Sequence, residues 1–201
     1  MSAWQTTVQH VRNCSLCEPK LPLGARPVIQ FHPHARILIA GQAPGIRVHR
    51  SGKPFDDPSG ERLRAWLGVD KSDFYDARQF AILPMGFCYP GTTSSGDAPP
   101  RPECADAWRE QLLEQLPHLQ LTLAIGQYAQ QWHAQQLTGI KLQRTLTERV
   151  KNWQAWLEQG ILPLPHPSPR NNRWLAKNPW LEDEVLPELK AQIARWRGSQ
   201  K

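Results

Sequence analysis

Four cysteines are the residues whose spacing most directly suggests metal chemistry. Cys14 and Cys17 form a CxxC pair, and Cys88 and Cys104 follow with fifteen residues between them. Zinc binds four thiolates, although structural zinc sites usually join two closely spaced pairs. Free cysteines are also common core residues. The spacing alone therefore leaves two interpretations, a four-thiolate metal site and ordinary packing.

Two polar loops are the other candidates for chemistry. The segments GQAPG (41–45) and HPSPRNN (166–172) each follow a short apolar run. Ligands of parallel α/β sheets bind beyond the carboxyl ends of the strands, so we expect both loops to border a ligand site. A third segment, Asp56-Asp57-Pro58-Ser59, is typical of a turn that leads into a helix cap.

Short apolar runs alternate with longer amphipathic stretches along the chain. The runs are typical of strands buried on both faces, and the stretches are typical of helices. The predicted strands are 36–40, 80–86, 121–126 and 161–166. The predicted helices are 2–13, 59–68, 103–116, 127–137, 145–159 and 180–197. The polar, proline-rich segment 89–102 is predicted to be a loop.

This alternation predicts a three-layer α/β/α sandwich with a central four-stranded parallel sheet. The length of 201 residues suits a single domain over 1–201. A net charge of +6 favours an anionic partner such as nucleic acid. No apolar run is long enough to cross a bilayer and no secretory leader is visible, so we expect a cytoplasmic protein without membrane contact, and a monomer.

The order of the motifs resembles that of the uracil-DNA glycosylase superfamily. GQAPG is followed by GKPFDDPSGERLRAWLG (52–68), by the cysteine quartet in this order and by the late HPSPRNN. The resemblance covers roughly residues 10–190 and is closest to the iron-sulfur branch, often called family 4. It implies a single glycosylase domain that acts on DNA.

The resemblance also implies roles for individual residues. Gly41 and Ala43 would contact the base through their backbone, and Gln42 stands in the water-activating loop. Phe55 would stack on a base flipped out of the helix, an interaction worth about 1–3 kcal/mol. His166 would donate a hydrogen bond to the departing base.

The loop after His166 resembles the segment that wedges into the duplex. It implies DNA contacts by Ser168, Arg170, Asn171 and Arg173. The same branch holds a 4Fe-4S cluster with four cysteines, which here would be Cys14, Cys17, Cys88 and Cys104. Zinc remains the alternative metal.

Three positions depart from the pattern of that branch. Gln42 replaces a glutamate and cannot act as a base, whereas Asp57 stands where glycine is common and could position water or stabilise a sugar cation; its neighbour Asp56 is a second candidate. Pro84 occupies the place of the asparagine that reads uracil, and proline has neither an amide side chain nor a backbone donor.

These features predict a monofunctional DNA glycosylase that hydrolyses the bond between the sugar and a flipped, deaminated base such as uracil. Hypoxanthine and xanthine are further candidate bases. The alternative is a non-catalytic binder of damaged or single-stranded DNA that kept the fold and lost the acid. A third possibility is an α/β hydrolase that acts on a small nucleotide.

Overall fold

The computed structural model describes residues 2–94 and 96–198. The strands are β1 (Ile37–Ala40), β2 (Phe80–Ile82), β3 (Thr92–Thr93), β4 (Gly96–Asp97), β5 (Leu121–Ile125) and β6 (Ile161–Leu164). A four-stranded sheet has the order β2-β1-β5-β6, and its neighbouring strands are parallel. Every residue of these four strands is buried. The four predicted strands are confirmed, each within its predicted range.

Helices cover both faces of this sheet, as predicted for a three-layer sandwich. They are α1 (Ala3–Arg12), α2 (Ile46–Ser51), α3 (Pro58–Leu67), α4 (Lys71–Phe74), α5 (Pro102–Leu113), α6 (Gln127–His133), α7 (Leu146–Lys151), α8 (Trp153–Leu157), α9 (Asn172–Lys177) and α10 (Leu186–Gly198). Short 3-10 turns occupy Glu18–Lys20, Ala134–Gln136 and Pro169–Asn171, and a π-helical turn, Leu181–Val185, leads into α10. No described helix is long and apolar enough to cross a membrane.

Alternate side chains of the strands build two separate cores. Ile37 and Ile39 of β1 face a core shared with α3, α7 and α10, whereas Leu38 and Ala40 face one shared with α1, α5, α6 and α8. Because successive strand residues point to opposite faces, a fully apolar run such as ILIA can fill both cores at once.

Three predictions about the irregular segments were wrong. The loop predicted for 89–102 contains a hairpin of β3 and β4, although residue 95 lies outside the described residues. The helix predicted for 145–159 is divided at Asn152 into α7 and α8. HPSPRNN is not a continuous loop, because its last residue, Asn172, begins α9. Elements of two to six residues are too short to show a hydrophobic period, which is why sequence patterns miss them.

A buried polar pair joins α5 to α6. The Nη2 atom of Arg109 lies 2.6 Å from Nε2 of His133, and Nδ1 of His133 lies 3.0 Å from Oε1 of Gln136. Burial, and then the charge of Arg109, lower the pKa of His133 to about 3. The imidazole is therefore neutral, with Nε2 accepting from Arg109 and Nδ1–H donating to Gln136.

This neutral histidine predicts a loss of stability in mild acid. In the unfolded chain a histidine takes up a proton near its ordinary pKa of about 6.5. The unfolded state thus binds more protons than the folded state between that pH and the lowered folded pKa, and the free energy of unfolding falls as the pH falls through this window. We expect His133 to account for about 2 kcal/mol of loss between pH 6.5 and 5.

Urea unfolding at the two pH values measures this effect. His133→Gln should flatten the pH dependence by that amount, whereas His118→Gln, at an exposed histidine, should leave it as in the wild type. An unaltered pH dependence in the His133 variant would show that His133 does not carry the effect.

Candidate active site

A cleft lies at the carboxyl ends of the central strands. Its cavity has a volume of about 250 Å³. Of the residues predicted for the site, nine line this cavity, and they come from three separate segments of the chain. They are Gly41, Gln42, Ala43, Phe55, Asp57, His166, Ser168, Arg170 and Asn171. Arg173 is exposed on α9 and is not among the residues that line the cavity.

The GQAPG loop is held in place by the chain that follows β2. The carbonyl groups of Gly41 and Gln42 accept hydrogen bonds of 2.9 Å from the backbone N–H groups of Met85 and Gly86. The side-chain Nε2 of Gln42 donates to the carbonyl oxygen of Ala98, next to the hairpin, at 3.2 Å. This bond uses the amide nitrogen and leaves the amide oxygen as the acceptor that Gln42 can offer to a water molecule.

Phe55 is held in an uncommon backbone conformation beside the cleft. Its φ of 54° is positive, which is a strained value for an aromatic residue. The hydroxyl of Tyr75 donates to the carbonyl oxygen of Pro54 at 2.9 Å, and the ring of Phe74 lies edge-on to that of Phe55 with centroids 6.1 Å apart. Strain of this kind persists only where neighbouring contacts over-determine the turn, and it presents the Phe55 ring to the cavity.

Gly60 permits that turn, because the first turn of α3 packs directly against the backbone of Phe55. A Cβ atom on Gly60 would overlap the carbonyl oxygen of Phe55. We expect Gly60→Ala to destabilise the protein by about 1–3 kcal/mol through overpacking and to displace Phe55. Thermal unfolding measures the first effect and base release the second.

Gly45→Ala is the matched control for that substitution. Gly45 lines the cleft, and nothing lies within 4 Å of the position its Cβ would take. Equal stability of the two variants would show that the contact between Gly60 and Phe55 does not constrain the turn.

Asp57 caps a helix and also lies in the cleft. It is the N-cap of α3, where its Oδ1 accepts from the backbone N–H of Gly60 at 2.9 Å, and it also lines the cavity. Asp56, the other candidate, is not among the lining residues. The cap fixes the position of the Asp57 carboxylate, so a helix-capping role and a role in the cleft are compatible.

His166 is fixed as a hydrogen-bond donor. Its Nδ1 accepts from the backbone N–H of Ser168 at 3.2 Å, and its carbonyl oxygen accepts from Nδ2 of Asn171 at 2.7 Å. Burial lowers the pKa of His166, while Asp57 and Asp97 oppose that shift. A neutral imidazole with Nδ1 as acceptor carries its proton on Nε2, which is the donor it can offer to a ligand.

Arg62 is a site residue that sequence reasoning missed. From α3, its Nη1 donates to the carbonyl oxygens of Pro167 and Ser168 at 3.3 and 3.2 Å, and its Nη2 donates to Oδ1 of Asn172 at 2.8 Å. These bonds hold the segment after His166 against α3. Nothing in the sequence pairs Arg62 with a segment more than 100 positions away.

Part of the lining of the cleft is apolar. Val28, Val48, Ile82 and Pro84 all line the cavity and are buried. Asp97, in β4 of the hairpin, adds a second carboxylate to the lining of the cleft. The sequence did not predict this contribution, because the segment was expected to be a plain loop. Pro84 occupies the position where the resemblance implies an asparagine that reads uracil, and it offers no polar side chain to the cleft.

The four cysteines line a second, separate cavity. The indole N–H of Trp108 donates to Sγ of Cys14 at 3.2 Å, and the backbone N–H of Phe87 donates to Sγ of Cys104 at 3.3 Å. Burial raises the pKa of Cys88 to about 11 and that of Cys104 to about 12. In residues 2–94 and 96–198, no three His, Cys, Asp or Glu side chains form a group that would hold a metal ion as they stand.

The fold and the first cavity define an α/β protein with a cleft at the carboxyl ends of a parallel sheet, lined by an aromatic ring, a carboxylate and a neutral imidazole. Parallel α/β sheets bind ligands at this edge. The family model of the uracil DNA glycosylase superfamily matches residues 28–190. The chain belongs to this superfamily, which comprises DNA repair glycosylases, hydrolases that act on DNA. The predicted superfamily is confirmed, while its iron-sulfur branch stays a prediction.

Proposed function

We propose that this protein is a monofunctional DNA glycosylase that hydrolyses the N-glycosidic bond of a flipped, deaminated base. The observation that carries the proposal is His166. Its bond from Ser168 assigns the imidazole proton to Nε2, and its position in the cleft that Phe55 also lines suits a donor to the base. A preorganised donor of this kind stabilises negative charge as it develops on a leaving group.

Base binding in this proposal uses two surfaces of the cleft. A target base must leave the helical stack before an enzyme can reach its glycosidic bond, and an aromatic ring replaces the lost stacking. Phe55 supplies that ring, and Gly41 and Ala43 allow the backbone to approach the base closely. Ser168, Arg170, Asn171 and the exposed Arg173 then contact the DNA backbone beside the cleft.

The chemical step breaks the bond between C1′ and the base nitrogen, and its electron pair leaves with the base. His166 donates a hydrogen bond from Nε2 to a base oxygen as this charge grows. Water attacks C1′, held by the amide oxygen of Gln42 or by Asp57, and loses its proton to Asp57 or to solvent. The described residues that line the cleft include no lysine, whose amine could attack C1′ in place of water. Hydrolysis by water forms no covalent intermediate with the protein.

The apolar wall bears on the choice of base. Because Pro84 has no amide to pair with the uracil edge, we propose that the cleft holds several deaminated bases rather than uracil alone. A site that hydrogen-bonds one substrate edge rejects analogues strongly, whereas an apolar wall discriminates weakly.

A panel of oligonucleotides tests the proposal. Single- and double-stranded DNA with uracil, hypoxanthine or xanthine is incubated with the protein, and free base and abasic sites are measured. Base release without strand cleavage is the expected result. Salt-dependent DNA binding with no base release would instead favour the non-catalytic binder. Turnover of free nucleotides with indifference to DNA would favour a nucleotide hydrolase.

For the second cavity we propose a metal centre held by Cys14, Cys17, Cys88 and Cys104, with a 4Fe-4S cluster as its occupant. Four thiolates are the ligand set of such a cluster, and N–H groups directed at sulfur are among the features that tune one. The donors from Trp108 and Phe87 suit this role. When bound, the cluster would supply a cross-link between the segment after α1, the chain after β2 and α5.

The occupant is tested by anaerobic purification followed by assays of iron, acid-labile sulfide and zinc. We expect about four irons and four sulfides per chain, and their loss in Cys14→Ser and Cys88→Ser. Zinc in place of iron would reject the cluster while keeping a metal centre. Gel filtration of the same preparation tests the predicted monomer; the cytoplasmic location and the single domain stay predictions.

A further inference from the structure

Helix α2 borders the cleft and carries exposed cations. It begins directly after the GQAPG loop, and Gly45 and Val48 line the cavity. Arg47 and Arg50 are exposed on the same helix, three positions apart, so their side chains are neighbours on its surface. The two arginines therefore lie in solvent on an element that also lines the cleft.

Arg26 fixes the far end of α2. Its Nη1 donates to the carbonyl oxygen of Arg50 at 3.0 Å. Gly52 ends the helix with a φ of 70°, and a Cβ atom there would lie 2.8 Å from Nη2 of Arg26. The Nζ atom of Lys53, the next residue, lies 3.8 Å from the ring centroid of Tyr75. Because the GQAPG loop is held by hydrogen bonds as well, the helix is fixed at both ends.

Arg47, Arg50 and Lys53 form what we call the α2 basic surface. All three are exposed, and none of them forms a salt bridge with another described residue. The sequence from residue 19 to residue 55 contains no aspartate or glutamate. A group of like charges raises the local positive potential and attracts anionic ligands. The α2 basic surface therefore suits a partner with several negative charges.

A second group of cations follows another strand of the same sheet. Arg170 lines the cleft and Arg173 is exposed on α9, and both come after β6. Since β5 lies between β1 and β6, the segments after these two strands leave the sheet about 10 Å apart. A nucleotide that enters the cleft between them would have a phosphate on either side, one for each group of cations.

We propose that the α2 basic surface binds the DNA backbone on one side of the flipped nucleotide, opposite the segment after His166. The inference rests on the proposed function in one respect, that the cleft takes a nucleotide of a DNA strand. Contacts to phosphate position a strand and read no sequence. The α2 basic surface would therefore hold damaged and undamaged DNA of any sequence.

The test compares Arg47→Ala/Arg50→Ala with Arg36→Ala/Arg78→Ala. Arg36 directly precedes β1 and Arg78 lies two positions before β2, so the control removes the same charge at the amino edge of the sheet, away from the cleft. Binding to undamaged oligonucleotides of two sequences, single- and double-stranded, is measured by fluorescence anisotropy over a range of salt concentrations.

We expect Arg47→Ala/Arg50→Ala to reduce the slope of log affinity against log salt by about 1.8 for duplex DNA and about 1.4 for single strands. Affinity at about 0.1 M salt should fall about 10- to 100-fold, equally for both sequences. The control should keep the wild-type slope, and so should Arg47→Lys/Arg50→Lys, which retains the charge. Lys53→Ala gives an independent reading, with an expected reduction of about 0.9 for duplex DNA.

Equal slopes for the two alanine double variants, or a loss confined to one of the two sequences, would overturn the inference. The base-release panel on the wild type separates this outcome from a failure of the proposed function. Base release together with equal slopes would reject the α2 basic surface and keep the glycosylase. The expected slopes in a protein that releases no base would keep the α2 basic surface and reject the glycosylase.

Discussion

Replacement of His166 by alanine is expected to slow base release about 10²- to 10³-fold. The loss follows from the geometry of the histidine, because its neutral ring has Nδ1 bonded to the N–H of Ser168 and so offers the Nε2 proton to the base. Removal of one preorganised donor raises the barrier by about 2.7–4 kcal/mol. Single-turnover kinetics on a deaminated base measures this step without product release.

Two comparisons separate this role from a structural one. DNA affinity of His166→Ala should stay close to that of the wild type, because the bond strengthens as charge develops in the transition state. His34→Ala, at an exposed histidine far along the chain, should keep the full rate. Unchanged base release by the His166 variant would remove this residue from the mechanism.

The second large effect is expected for Asp57→Asn. Asparagine caps a helix as well as aspartate does, so the bond to Gly60 and the start of α3 should survive. The carboxylate is lost, and with it the help to the attacking water, which is worth about 10² to 10⁴ in rate. Base release should therefore fall by that factor while the free energy of unfolding stays within a few tenths of a kcal/mol.

Asp70 offers a matched control, because it is another aspartate that caps a helix. It is the N-cap of α4, where its side chain accepts from the N–H of Asp73 at 2.8 Å, and it does not line the cleft. Asp70→Asn should alter neither rate nor stability. If Asp57→Asn also retains the full rate, the water is positioned by Gln42, and Gln42→Ala should then show the larger loss.

The two substitutions also bear on how a cleft without the usual glutamate could work. Gln42 can orient water through its amide oxygen but cannot remove a proton. Asp57 can do both, and the cap holds its carboxylate at one side of the cavity. If Gln42 and Asp57 act together on the same water molecule, the double variant Gln42→Ala/Asp57→Asn should be no slower than Asp57→Asn alone. The effects of residues that act as a unit are not additive.

The sequence alone determined the sheet, most of its helices and the segments that border the cleft. Burial on two faces requires apolar runs such as LTLAI in β5, and this requirement is visible in the local order of residues. Because the strands are parallel, the loops GQAPG and HPSPRNN, which follow β1 and β6, lie at the same edge of the sheet and both border the cleft.

Only the tertiary structure decided which polar groups meet in the cleft. Gln42 pairs with Ala98 and Arg62 with Ser168, across 56 and 106 positions of the chain. Such bonds depend on the paths of irregular segments, which have no hydrophobic period to reveal them. For the same reason the sequence did not predict that Asp97 lines the cleft, and it placed Arg173 in the site although Arg173 does not line the cleft.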